Sequence, residues 1–280
     1  MKIVDQSLIS LEERTRSLEI LENIYHRGQD KIWDGKAVLE ELIAKHGEIH
    51  ILPSSKQEAI RNIFAVILWG ELAAWKVSLQ LAERLDEIEA KMAATSQAHD
   101  EARHFYVMRD YLQLYGTIPT GIPRPVEKSL SMVLSTDCLA KKLLGMQLMV
   151  EPIALTIFQE IRKARPEPVL ADLLEYFERD EARHVALGIH FLPRVVKQLN
   201  PIQLVSLIGW QFRLFMLELD GLKILKSDFE KLNIDPEAVF NLAEAKQLDA
   251  LEQFTDELDI SSKVWLPIRK ILRYRKSLIF

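Results

Sequence analysis

The chain of 280 residues has few of the residues that cross-link or interrupt a backbone: one cysteine, ten glycines and eleven prolines. The single cysteine, Cys138, excludes an internal disulfide and is typical of proteins from a reducing compartment. Leu, Ala, Glu, Lys and Arg, which favour helices, are abundant instead. The composition therefore predicts an all-α protein.

Long apolar runs and strong charge of one sign are also missing. No apolar run reaches about 18 residues without a charged or amide side chain, so we predict no membrane span. The N-terminus carries charges throughout and lacks the apolar segment of a signal peptide. The net charge of −5 gives no indication of nucleic-acid binding. We therefore expect a soluble cytoplasmic protein without a nucleic-acid partner.

Apolar residues recur at helical spacing through the middle of the chain. They predict two hairpins of long helices, over about 54–85 and 86–115 and over about 127–164 and 170–193. Asp86 and Glu89 have the spacing of a capping box at the start of the second helix. Pro152 is expected to kink the third helix, because proline lacks the backbone N–H that a helix needs.

Further helices are predicted on both sides of these hairpins. Asn200 and Pro201 have the cap and first-turn chemistry of a very apolar helix that ends near residue 222. The other predicted helices cover about 5–26, 36–47 and 262–276, with Gly28 and Gly35 separating the first two.

No stretch of the chain is poor enough in apolar residues to divide it. We therefore predict a single domain, 1–280, with a core bundle over about 54–191. Helices within 1–53 and 192–280 are expected to surround this bundle.

One pentapeptide, Asp-Glu-Ala-Arg-His, occurs twice, at 100–104 and at 180–184. In each copy the glutamate and the histidine are three residues apart and so share one face of a helix. Glu101 lies thirty positions after Glu71, and Glu181 lies thirty positions after Glu151. Glu71 and Glu151 each belong to an apolar stripe of a predicted helix. The midpoint of each interval is a predicted turn, so each hairpin brings its two glutamates level. The two hairpins are therefore an internal repeat that predicts a four-helix bundle.

The repeat brings six potential metal ligands to the centre of the bundle. Each unpaired buried carboxylate would cost on the order of several kcal/mol, whereas two divalent cations balance four carboxylates. Oxygen-rich ligands with one imidazole per metal suit iron or manganese better than zinc. The predicted ligands are Glu71, Glu101, His104, Glu151, Glu181 and His184.

The other charged residues of the pentapeptide are predicted to support these histidines. A metal-bound histidine usually donates its second ring N–H to a carboxylate. Asp100 and Asp180 are each expected to reach the histidine of the opposite hairpin, and Arg103 and Arg183 to hold those aspartates. The alternative is that these four residues form ordinary surface ion pairs.

The doubled motif, a glutamate followed by Asp-Glu-x-Arg-His, resembles the di-iron carboxylate oxidoreductases of the ferritin-like superfamily. It is most similar to the hydroxylase subunits of bacterial multicomponent monooxygenases and to ribonucleotide reductase small subunits, over about 54–191. The place of the reductase's radical tyrosine, four residues after the first ligand histidine, is Met108 here.

This resemblance implies a ferritin-like bundle that binds two Fe ions, or Mn and Fe, and activates O₂. It implies one metal at Glu71, Glu101 and His104 and the other at the matching residues of the second hairpin, with one or two glutamates bridging. The substrate is expected to be a small apolar or aromatic molecule, which the site would oxidise or oxygenate. A separate electron donor would re-reduce the metals.

Two other functions stay open on the sequence alone. One is a ferroxidase or peroxide-scavenging protein without an organic substrate. The other is a binding protein that metal stabilises but that does not turn over. An apolar cavity beside the metals would favour the oxygenase. The apolar helix near 201–222 also predicts a homodimer.

Overall fold

The structure is a computed structural model that describes residues 16–47, 52–116, 118, 120–257, 270 and 274. All regular elements within these residues are helical, which confirms the predicted fold class. In chain order they are α1 (Arg16–Asp30), α2 (Gly35–His46), α3 (Ser54–Arg84), α4 (Ile88–Leu114), α5 (Arg124–Ser135), α6 (Leu139–Gly145), a π-helix (Met146–Val150), α7 (Glu151–Ala164), α8 (Pro168–Val196), α9 (Pro201–Lys231) and α10 (Pro236–Glu257).

Helices α3, α4, α7 and α8 form a four-helix bundle of two hairpins, as predicted. Helix α3 packs on α4, α7 packs on α8, and α4 packs on α8. The first hairpin turns between Arg84 and Ile88, and the second turns between Ala164 and Pro168. Both turns contain the midpoint expected from the spacing of the glutamates. Helices α1 and α2 pack on α4 and α8, α9 packs on α3, and α10 packs on α7 and α8.

The predicted third helix over 127–164 is wrong, because this segment is broken. Helix α5 ends at Ser135, α6 begins at Leu139, and the π-helix joins α6 to α7. The backbone N–H of Glu151 donates to the carbonyl of Met146, five residues earlier. Pro152 follows directly and has no N–H to donate. The irregularity expected at Pro152 is therefore a π-helix that ends at the residue before Glu151.

Two helix starts give opposite results for the predicted caps. The Asn200 side chain accepts a hydrogen bond from the Gln203 N–H, and the Gln203 side chain accepts one from the Asn200 N–H. This capping box confirms the start of α9. The capping box predicted at Asp86 and Glu89 is wrong, since α4 begins at Ile88 without a side-chain cap bond.

The flanking helices differ from the prediction mainly in length. Helix α1 continues through Gly28, where a Cβ atom would lie 2.2 Å from Ser96 Oγ on α4. This glycine therefore permits close packing of α1 on α4 and does not end a helix. Helix α9 extends to Lys231, and α10 was not predicted. Residues 1–15 and most of the predicted helix 262–276 lie outside the described residues, and the single domain over 1–280 stays a prediction.

Buried apolar side chains form two clusters along the bundle. One cluster contains Ile60 and Phe64 of α3, and the other contains Val77 and Leu81 of the same helix. Glu71 lies between these two pairs and is only 4% exposed. The apolar clusters thus close off the middle of the bundle from water on both sides of this carboxylate.

Among the described residues, two helices are long and apolar enough to cross a membrane, judged by length and composition only. Neither was identified from the sequence, which predicted no membrane span. They are α3 and α9. The apolar window of α3 is 56% buried within the protein, and that of α9 is 33% buried. Helix α3 supplies side chains to the core of the bundle, which accounts for its apolar composition.

Candidate metal centre

The six predicted ligands come together in the centre of the bundle, and each is at most 4% exposed. Two groups of four residues have one potential ligand atom per residue within 4.8 Å of all the others. Glu101 and Glu181 belong to both groups. Glu71 and His104 complete the first group, and Glu151 and His184 complete the second.

Both histidines turn the same ring nitrogen toward the glutamates. His104 Nδ1 lies 3.2 Å from a carboxylate oxygen of Glu71 and 3.3 Å from one of Glu181. His184 Nδ1 lies 3.0 Å from a carboxylate oxygen of Glu101 and 3.2 Å from one of Glu181. In each ring, therefore, Nδ1 is the nitrogen that faces the centre.

The opposite ring nitrogens face the aspartates of the partner hairpin. His104 Nε2 lies 3.2 Å from Asp180 Oδ2, and His184 Nε2 lies 3.4 Å from Asp100 Oδ2. An Nε2 proton that is held by a carboxylate leaves Nδ1 with a free lone pair, which is the form that binds a metal.

Arg103 and Arg183 connect the two aspartates in a buried ionic network. Arg103 donates to Asp100 Oδ1 at 2.5 Å and to Asp180 Oδ2 at 2.9 Å. Arg183 donates at 2.8 Å both to Asp100 Oδ2 and to Asp180 Oδ1. All four side chains are at most 10% exposed. The alternative of ordinary surface ion pairs is therefore wrong, because these pairs lie inside the protein.

Trp33 joins this network from the segment between α1 and α2, and no pattern in the sequence indicated its role. Its indole Nε1 donates to Asp180 Oδ2 at 2.8 Å. The Arg103 guanidinium lies over the Trp33 ring, 4.7 Å from its centroid. The Asp180 carboxylate therefore has Trp33, Arg103, Arg183 and His104 as partners.

Two buried glutamines next to the ligands were also missed. Gln97 Nε2 lies 2.5 Å from Glu151 Oε1 and 3.3 Å from Glu101 Oε1, and Gln147 Nε2 donates to Gln97 Oε1 at 3.2 Å. Their positions offered a signal, because each is four residues before a predicted ligand and so on the same helix face. His99, in contrast, is exposed and lies beside Arg103.

Three groups of the centre have pKa values raised toward their protonated forms. Burial and the neighbouring Glu101 raise the pKa of Glu71, and burial also raises the pKa of Glu151. Burial opposes a charge on His104, but its bonds to Asp180 and to the glutamates outweigh burial and raise its pKa. A divalent cation would take the place of these protons.

Two carboxylate oxygens in the centre lack a hydrogen-bond partner among the described residues: Glu101 Oε2 and Glu151 Oε2. A buried acceptor without a partner is costly, and a metal ion would satisfy both oxygens. The donor set of four carboxylates and two imidazoles therefore fits two oxygen-preferring divalent metals.

An apolar pocket of about 80 Å³ opens beside the centre. This is the volume open to the centre of a water-sized sphere, of which a single water molecule needs roughly 10–15 Å³. The pocket therefore suits a slender molecule of several heavy atoms. The four glutamates of the centre form part of its wall. Most of the remaining wall is aliphatic and includes Ile67, Leu130, Met146, Ile157 and Leu222.

No protein-family model matches the sequence, and no curated protein matches it. Solved structures do match the fold. An R2-like ligand-binding oxidase with an aerobically reconstituted Mn/Fe cofactor superposes with a TM-score of 0.70 at 16% identity, over 93% of this chain and 99% of that chain. The same class of oxidase with an Fe/Fe cofactor gives a TM-score of 0.70 at 15% identity, over 94% of this chain and 99% of that chain.

A third similar structure is a protein from Synechococcus with aldehyde deformylating oxidase activity. Its TM-score is 0.63 at 18% identity, over 72% of this chain and 92% of that chain. At such low identity these similarities show a shared fold. The chain therefore has the ferritin-like helical fold that the doubled motif predicted.

Proposed function

We propose that the protein is a di-iron carboxylate oxidoreductase, or a Mn/Fe one, that uses O₂ to oxidise or oxygenate a small apolar organic molecule. The observation that carries this proposal is the pair of four-residue groups that share Glu101 and Glu181, and whose four glutamates form part of the wall of an apolar pocket. Structures of the same fold are oxidases with Mn/Fe and Fe/Fe cofactors, which supports the choice of metals and of O₂.

In this proposal Glu71, Glu101 and His104 would hold one metal, and Glu151, Glu181 and His184 would hold the other. Glu101 and Glu181 belong to both groups of potential ligands, so each has carboxylate oxygens within reach of both metals. When bound, the two metals supply the O₂ binding and the redox chemistry, which no side chain of the chain can supply. The protein contributes position, charge balance and exclusion of water.

The aspartates and arginines orient the two imidazoles. Asp180 and Asp100 accept the Nε2 protons, so that each Nδ1 lone pair points to the centre. Arg103 and Arg183 fix both aspartates and neutralise their charges. The two imidazoles are thus held in position by their helices and by their contacts with Asp180 and Asp100. These contacts do not depend on a bound metal.

The apolar pocket favours an organic substrate over the two other candidate functions. A ferroxidase or peroxide-scavenging protein needs only a channel for ions or peroxide, and a metal-stabilised binding protein needs no opening next to its metals. An aliphatic wall around four carboxylates excludes water and binds carbon through the hydrophobic effect. We also propose a separate electron-donor protein or reductase, a homodimer and a cytoplasmic location without a nucleic-acid partner.

Metal analysis followed by anaerobic loading with ferrous iron and exposure to O₂ tests this function. We expect about two irons per chain, the number for which the donor set has room. Optical and Mössbauer spectra should change when O₂ is admitted. Absence of stoichiometric metal, or a loaded site that does not react with O₂, would contradict the oxidoreductase.

Substitution of single ligands tests the assignment of the site. Glu101→Ala and His184→Ala should each lower the bound iron, because each removes a donor from the centre, while the helical circular dichroism signal stays largely intact. Glu175→Ala is a matched control, since this glutamate is exposed on the outer face of α8 and should leave the iron content unchanged. Unchanged iron in both ligand variants would rule out the assigned site.

A further inference from the structure

One wall of the apolar pocket carries a carboxyl group that does not belong to the metal centre. Glu218 lies on α9, outside the four-helix bundle, and lines the same pocket as the four glutamates. Ser129 is a second polar side chain of this outer wall among the described residues, and its hydroxyl donates to the carbonyl of Val126. The Ser129 proton is thus already used, and Glu218 is the acidic group that the described residues place in this wall.

Among the described residues, one side chain holds Glu218 and one of its oxygens has no partner. Gln247 of α10 donates from Nε2 to Glu218 Oε2 at 3.0 Å, and the same Nε2 donates to the Met149 carbonyl at 2.9 Å. The Glu218 residue is 8% exposed, and its Oε1 has no hydrogen-bond partner among the described residues. A buried oxygen without a partner is costly, which indicates that something else satisfies it.

The chemistry of this oxygen follows from its surroundings. Burial raises the pKa of Glu218 to about 8, and the bond from Gln247 opposes this shift only in part. Near neutral pH the group is therefore largely a neutral carboxylic acid, with Oε2 occupied as an acceptor and Oε1 as the site of the O–H. A neutral acid can donate a hydrogen bond to an oxygen that has entered an otherwise aliphatic pocket.

We propose that Glu218, positioned by Gln247, is the specificity residue of the pocket and selects an apolar molecule that carries one neutral hydroxyl or carbonyl oxygen. This inference rests on the proposed function, because it describes the substrate of the same pocket. The apolar wall binds the carbon chain, and Glu218 fixes which end of the molecule points away from the metal ligands. Without such a polar contact, an aliphatic pocket has little means of distinguishing one end of a chain from the other.

Binding of two matched probes to the full-length protein tests this inference. The probes are 1-hexanol and 1-chlorohexane, which have the same carbon chain and differ in a group that does or does not hydrogen-bond. Calorimetry gives the dissociation constant of each probe, and the ratio of hexanol to chlorohexane is compared between variants. A change in the pocket that alters both affinities equally leaves this ratio unchanged, and the greater apolarity of chlorohexane contributes to the ratio of every variant.

Glu218→Leu should raise this ratio by about fivefold or more, because a hydroxyl left without a partner in an apolar site costs about 1 kcal/mol or more. The variant should fold, since Gln247 keeps its bond to the Met149 carbonyl and a leucine suits the aliphatic wall. Glu218→Gln keeps a hydrogen-bonding group and should show a smaller increase. Leu222→Met, one helical turn away in the same pocket wall, is the control that should leave the ratio unchanged.

An unchanged ratio in folded Glu218→Leu protein would overturn the inference and leave Glu218 as a link between α9 and α10. Absence of binding of either probe to the unmodified protein would also overturn it. Measuring both metal-loaded and chelator-treated protein separates this result from the proposed function. A protein that takes up no iron would contradict the oxidoreductase, while the ratio of the two probes remains measurable.

Discussion

Asp180 is the residue with the most connections in the network around the candidate centre. Its two carboxylate oxygens accept from Trp33, Arg103 and Arg183 and contact His104, and the side chain is fully buried. Burial would raise the pKa of Asp180, but the contact with His104 and the charge of Arg183 lower it below its usual range. The negative charge of this residue is therefore part of the folded structure.

Asp180→Asn should destabilise the metal-free protein by about 3 kcal/mol or more. The amide has no charge to offset the two buried arginines, and its NH₂ would face a group that is itself a donor. Urea unfolding in the presence of a chelator measures this change, since the chelator removes any contribution from bound metal.

Asp172→Asn provides the matched control for this prediction. Asp172 also has three basic partners, Lys45, His46 and Arg165, but it lies near the surface. Solvent screens such pairs, so the loss should stay below about 1 kcal/mol. Equal effects of the two substitutions would show that burial does not determine the strength of the Asp180 network.

The sequence predicted the residues of the centre and the charged neighbours within the repeated motif far better than contacts that come from other elements. The ligands repeat at fixed spacing on helices, and helical geometry converts that spacing directly into proximity. Trp33 reaches Asp180 from a connection between helices, and Glu218 reaches the pocket from a helix outside the repeat. Contacts of this kind depend on how helices pack, and no local periodicity encodes them.

At the scale of elements, the π-helix at Met146–Val150 is the main departure from a regular bundle. It leads into Glu151, and it carries Gln147, whose side chain contacts Gln97 beside the centre. An extra residue in a helical turn rotates the residues on either side relative to each other. The π-helix therefore contributes to the direction in which Glu151 leaves its helix.

The sequence indicated this irregularity only through Pro152. The segment over 127–164 has a continuous apolar pattern, so periodicity predicted one helix where the chain forms three helices and a π-helix. Proline signals a missing hydrogen bond but does not determine how the chain adjusts to it.

Gly188 of α8 permits the close approach of the π-helix. A Cβ atom at this position would lie 2.5 Å from Gln147 Cβ and 2.9 Å from a methyl carbon of Leu148. Gly188→Ala should therefore push the two elements apart, destabilise the protein by about 1–3 kcal/mol and weaken iron binding. Urea unfolding and iron titration measure the two effects.

Gly209→Ala is the control for Gly188→Ala. Gly209 lies inside α9, and a Cβ atom there would meet nothing within 4 Å. Alanine in an open helical position should stabilise the protein by about 0.5–1 kcal/mol through helix propensity alone. A stabilising effect of alanine at Gly188 as well would show that the π-helix does not need this close contact.

At the scale of the whole molecule, α9 has two different apolar faces. One face is buried and carries Leu214 and Leu225, and it extends to the pocket through Glu218. The other face exposes Ile202 and Val205, with exposed fractions of 81% and 70%. The sequence showed a very apolar helix here, but composition alone does not distinguish contact with the bundle from contact with another molecule.

The exposed face of α9 supports the proposed homodimer. Ile202, Val205 and Ile208 are spaced by three residues and form a stripe along the N-terminal half of the helix. A stripe of exposed large apolar side chains is typical of an interface between protein chains. If two copies pair through this stripe, a charge placed in it has to be buried without a partner.

Val205→Glu should therefore convert the proposed dimer into a monomer with an intact fold. Light scattering coupled to gel filtration measures the mass, and circular dichroism checks the helices. Leu79→Glu is the matched control, because Leu79 is 52% exposed on α3 and lies outside the stripe, so its replacement should leave the mass unchanged. A monomeric unmodified protein would exclude the homodimer, and a dimer that survives Val205→Glu would place its interface on another face.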